Sequence, residues 1–250
     1  MENNSYILKL GPTPDGQVLY FFGAQHSNNP ANPQFAKLKD FWNEFLSTTQ
    51  KSRTVFTEGI YKEALGTYEE VIQQRGEVGA AQWLAKQEGI EAVYLEPDDS
   101  EQRKVLGGMF DLDIVAYALI VQNLAAWFHH ARQSSFTEAV ERSVKREAKF
   151  TEIYGFTLNT SWFHDQHEKL FDGQPLEDEN FLNRISDPRR DDTVVNKVIA
   201  NRTKIRNDYI LTKIRGALDS RENIFIVYGR GHLTALEPKL RALFVHISPD

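Results

Sequence analysis

The run from Asn223 to Leu233, N-I-F-I-V-Y-G-R-G-H-L, constrains the fold more than any other stretch of the chain. Five consecutive residues, Ile224 to Tyr228, are β-branched or aromatic. A short run of that kind bounded by punctuating residues reads as a strand buried on both faces, as in a parallel sheet. It stops at Gly229-Arg230-Gly231, a turn signal, and delivers His232 to the start of a helix. In open α/β sheets ligands sit outside the carboxyl ends of the strands, so a polar residue just past such a strand stands where chemistry takes place. The pattern recurs near the other end of the chain, where Val18 to Phe22 runs into Gly23-Ala-Gln-His26.

Between these ends, strand and helix patterns alternate. Tyr6 to Leu10 and Val18 to Phe22, joined by Gly11 to Gly16, read as a hairpin. Phe35, Leu38, Phe41, Trp42 and Phe45 line one face of a helix over 34–49. Arg53 to Thr57 is a short strand ending at Glu58-Gly59, and Glu91 to Leu95 is another ending at Glu96. Helices are expected over about 62–74 and 78–88, then as three pieces between about 100 and 150, broken near Gly107-Gly108 and Gln133 to Ser135. The pattern weakens over 151–192, read as an irregular insertion, before a helix over 193–218, the strand at 224–228, a helix over 234–243 and a last short strand from Phe244 to Ile247. The expectation is one α/β domain over 1–250: a central, mostly parallel sheet with helices on both faces and a largely helical insertion at about 100–192.

Composition narrows the chemistry. With 250 residues and no cysteine, the chain can bury a full core but has no disulfide, thiolate metal site or cysteine nucleophile, so any metal must be held by histidines and carboxylates. A net charge of −6 offers no general attraction to nucleic acid or anionic membrane. The most apolar stretch, Ile114 to Phe128, contains Gln122 and Asn123 and is shorter than the roughly 20 residues needed to span a bilayer. Residues 1–5 lack the features of a secretory signal, which with the absence of cysteine makes a cytoplasmic protein the expectation. Oligomeric state is not legible in the sequence.

Four strand ends therefore carry His26, Glu58, Glu96 and His232. Were these strands neighbours, two imidazoles and a carboxylate with a water would form a common catalytic set for a divalent ion, either Mn, Co or Zn. The plain alternative is that each residue caps a helix or pairs with a neighbour. Gly23 and Gly229 allow sharp bends or the close approach of a ligand. Arg230 is a candidate for a substrate carboxylate or a solvated side chain, and Tyr228 for a donor beside the metal or a core residue with a satisfied hydroxyl. Arg206 and Asn207, on the late helix, are candidates for oxyanion stabilisation and substrate contact, against a surface ion pair of little worth. His164 and His167 share a helix face at i, i+3, a weak metal signal. No Gly-x-Ser-x-Gly elbow, Walker loop or His-Glu-x-x-His helix is present, which disfavours serine hydrolases and P-loop enzymes.

On Gly23-Ala-Gln-His26, Glu58-Gly59, Arg206-Asn207 and Gly229-Arg-Gly-His232-Leu, the chain resembles the TraB/Tiki superfamily, whose wider relatives include ChaN-like and erythromycin esterase-like proteins. The resemblance covers the two ends, and no motif matches about 100–192. It implies an α/β fold with two related halves and, from Tiki members, a metal-dependent peptidase acting on a peptide or small-molecule substrate. His26, Glu58 and His232 would then be ligands or water activators, and Arg206 a site residue. Glu96, as further ligand or general base, follows from its strand end alone. Unlike membrane-bound members, the chain has no transmembrane helix in its sequence. Two rival expectations stand beside it: a metal-independent esterase in which His26 and a glutamate activate water, and a non-catalytic protein binding a small ligand or haem.

Overall fold

The computed structural model describes residues 6–49, 52–59, 66–129 and 134–247. They form an α/β fold that divides into two compact units, one of residues 1–96 and 207–250 and the other of residues 97–206.

The first unit is built on a five-stranded sheet: β1 (Tyr6–Leu10), β2 (Leu19–Ala24), β3 (Arg53–Thr57), β4 (Ala92–Tyr94) and β5 (Asn223–Gly229), in the order β1-β2-β5-β3-β4. β1 runs antiparallel to β2, and the other neighbours are parallel. β5 is central and every one of its seven residues is buried, as its continuous apolar run requires. Alternation divides its side chains between the two faces. Phe225 and Val227, with Tyr20 and Phe22 of β2, join a core with α1 (Gln34–Thr48) and α2 (Tyr68–Gln87). Ile224, Ile226 and Tyr228, with Leu19 and Phe21, join a second core with residues from Ile210 onward of α9 (Val194–Asp219) and with α10 (Arg230–Ile247). On the first face the α1 stripe puts Phe41, Trp42 and Phe45 around Phe225, with ring centroids 5.6, 4.9 and 5.2 Å away.

The second unit is helical: α3 (Asp99–Gly107), α4 (Leu112–His129), α5 (Phe136–Glu147), a 3₁₀ turn at Ala148–Phe150, α6 (Thr151–Tyr154), α7 (Thr160–Phe171), α8 (Glu179–Ser186) and α9 as far as Arg206. Val115 to Val121 of α4 are buried without a break, because this helix is apolar all round and lies inside the bundle. Arg103 and Glu147 meet in the same interior as a two-pronged ion pair, at 2.6 and 2.7 Å. No helix among the described residues is long and apolar enough to cross a membrane.

Four expectations are corrected. Segment 151–192 is not irregular: Asn159 and Asp178 cap α7 and α8, and Phe163, Phe181, Leu182 and Ile185 are buried in the bundle core. Those helices are too short for a clear periodic signal. Phe244 to Ile247 is not a strand but the end of α10, since Phe244 continues the buried stripe of Leu233, Leu236 and Leu240 while Val245 is 69% exposed. Gly229-Arg230-Gly231 is not a turn, for β5 passes directly into α10. The helix expected over 62–74 begins at Tyr68, where Thr67 and Glu70 form a capping box, and residues 62–65 lie outside those described.

Candidate functional site

Because β2, β5, β3 and β4 are parallel neighbours, their carboxyl ends share one edge of the sheet. Ala24 pairs with Gly229, and Thr57 pairs with both Val227 and Tyr94. The residues that follow those positions are His26, Glu58, Glu96 and the first turn of α10 with His232. Gly229 is the point at which three of them meet. A β-carbon built on it would lie 3.2 Å from Glu58 Oε2, 3.8 Å from His26 Nε2 and 3.9 Å from His232 Cδ2. The Gly229 amide donates to Glu58 Oε2 at 2.9 Å, so the backbone itself fixes the carboxylate. Two imidazoles and a carboxylate thus approach the position that a side chain at residue 229 would take.

Each imidazole is held from behind. His26 Nδ1 lies 2.5 Å from Glu77 Oε1, and His232 Nδ1 lies 2.7 Å from Asn207 Oδ1. An acceptor oxygen at Nδ1 selects the tautomer that carries hydrogen there and the lone pair on Nε2. That is the support which metal-binding and proton-moving histidines require. The loop bearing His26 is tied down by Gln34, at the start of α1, whose side chain accepts from Gln25 N at 3.0 Å and donates to Gln25 O at 2.7 Å. The ring of Tyr228 meets that of His232 edge-on, with centroids 4.9 Å apart. The Tyr228 hydroxyl in turn donates to Glu96, and both residues are buried.

No family model, curated protein or solved structure matches this chain.

The geometry alone therefore distinguishes the residues. His26, Glu58 and His232 come together around Gly229. Glu96 accepts a hydrogen bond from the hydroxyl of Tyr228, and Tyr228 is a core residue at 1% exposure. Asn207 faces His232. Gly23 lets α10 approach β2: a β-carbon there would lie 3.0 Å from Leu233 Cδ2 and 3.3 Å from Arg230 Cα. Arg230 is exposed at the first position of α10. Arg206 is half-buried on α9 and is the last residue of the second unit. His167, also in that unit, is buried between the Tyr117 hydroxyl at 2.6 Å and the Gln174 carbonyl at 2.7 Å, so both of its ring nitrogens are engaged structurally.

Among the described residues no three His, Asp or Glu side chains are already gathered closely enough to enclose a metal ion. The donor chemistry still suits one, since two Nδ1-supported imidazoles and a carboxylate are the kinds of ligand that Zn, Mn or Co takes. The sequence reading missed Glu77 and Gln34. The available signal was the Arg-Gly-Glu sequence at residues 75–77, which falls between the helices expected over about 62–74 and 78–88.

Proposed function

We propose that the chain is a metal-dependent hydrolase of the Tiki-like kind, most directly a peptidase. The observation that carries this reading is the convergence of Glu58, His26 and His232 on the side-chain-free position of Gly229. His26 and His232, each oriented through Nδ1, would hold a divalent ion together with Glu58. Such an ion would acidify a bound water and polarise a carbonyl. In the other role open to it, Glu58, whose Oε2 accepts from the Gly229 amide, would take a proton from water and return it to the leaving group. An extended substrate backbone would pass over Gly229, which has no side chain, and Arg230, exposed at the first position of α10, would meet a substrate carboxylate.

One observation favours a second reading. A carboxylate 2.5 Å from His26 Nδ1 is also the support given to a general base that works without metal, as in an esterase. Assays with unstructured peptides and simple esters, with added Mn, Co or Zn and after chelation, separate the two. The first reading expects peptide cleavage that needs the ion and falls about 10²–10⁴-fold in Glu58→Gln. Ester cleavage that survives chelation and disappears in His26→Ala would establish the second reading instead.

A further inference from the structure

Burying a carboxylate is costly unless it is partnered, and Glu77 is 5% exposed. Its partners belong to the loop that follows β2: His26 Nδ1 at 2.5 Å and the Ser27 amide at 3.4 Å. The contact depends on a break in α2. Gly76 has φ 58° and ψ −144°, a conformation open in practice only to glycine, so the helix stops and restarts with Glu77 at the head of its second half. A β-carbon on Gly76 would lie 2.9 Å from Ser27 O and 3.0 Å from Asn28 Oδ1, so the absent side chain also lets α2 press against this loop. The sequence thus uses one glycine to bring a buried carboxylate behind an imidazole whose side chain is 58% exposed. The other imidazole is treated differently, because His232 is backed by the neutral amide of Asn207. A carboxylate accepting the Nδ1 hydrogen raises the electron density at Nε2 more than an amide does.

We infer that Glu77 is a positioning residue that makes His26 Nε2 the stronger electron-pair donor of the two imidazoles at this edge, His232 being the weaker. The inference rests on the proposal that His26 and His232 are the working donors of the site, but its test does not require that a metal binds. Glu77→Gln keeps the shape and an acceptor oxygen and removes only the charge. Glu77→Asp keeps the charge.

The first readout is the rate at which diethylpyrocarbonate acylates His26 in metal-free protein, followed by peptide mass spectrometry on the alkaline plateau of the rate, where both imidazoles are neutral, with His232 as internal control. The second is Co(II) affinity, read from the visible absorption of the bound ion. Glu77→Gln should slow acylation of His26 severalfold, leave His232 unchanged and weaken Co(II) binding about 10–100-fold, with Glu77→Asp recovering part of both. Asn207→Asp should quicken acylation of His232, which provides a test even if Glu77→Gln fails to fold. Should the wild type bind no Co(II) while Glu77→Gln still slows His26, the metal reading falls and the role of Glu77 stands. Acylation and Co(II) binding unaltered in Glu77→Gln, or His232 unmoved by Asn207→Asp, would overturn the inference.

Discussion

Gly23 and Gly229 lie on adjacent strands, one register position apart, yet an added methyl group would meet different surroundings at each. At Gly229 it would meet the polar ends of Glu58 and His26, at 3.2 and 3.8 Å, whereas at Gly23 it would meet Leu233 and the Tyr6 carbonyl, both at 3.0 Å. Gly229→Ala should therefore fold close to normally but lose hydrolysis and ion binding, while Gly23→Ala should overpack the α10 contact and cost about 1–3 kcal/mol. Denaturant unfolding and activity of the two variants check this. A Gly229→Ala variant less stable than Gly23→Ala but still active would reverse the assignment. At this scale the sequence made His26, Glu58 and His232 legible because each follows an apolar run. Glu77 was not legible, since its partner lies 51 residues earlier and meets it only after both elements have folded.

Elements were readable where their apolar period was long. The stripe of α1 and the run of β5 predicted both elements, whereas α7 and α8 were lost because they have only 12 and 8 residues and declare themselves mainly through their caps. Capping also makes a prediction about pH. Asp98 accepts from the amides of Glu101 and Ser100 at the start of α3, and these hydrogen bonds hold its carboxyl below its ordinary value of 3.8. The folded value is the lower one, so the cap's contribution is complete above the ordinary value and drains away as pH falls through the folded one. Asp98→Asn keeps an acceptor oxygen but cannot titrate there. The stability gap between wild type and this variant, followed by thermal unfolding, should be constant above about pH 5 and shrink on acidification below it. Parallel curves down to the lowest pH would show that the charge on Asp98 contributes nothing.

For the whole molecule, alternating strands and helices foretold an α/β fold with a mostly parallel sheet, but local patterns could not order the strands. β5 lies between β2 and β3 and pairs Ile224 with Leu19, so the last strand among the described residues completes an edge that the early strands only begin. That order is what sets His232 beside His26 and Glu58, and it makes the site depend on both ends of the chain. The measurement that tests this account most directly is elemental analysis of protein purified without chelator, beside the His26→Ala/His232→Ala double variant. The account predicts near-stoichiometric Mn, Co or Zn in the wild type and none in the variant. Wild-type protein that takes up none of these ions even after incubation with each, or a variant that retains them, would contradict it.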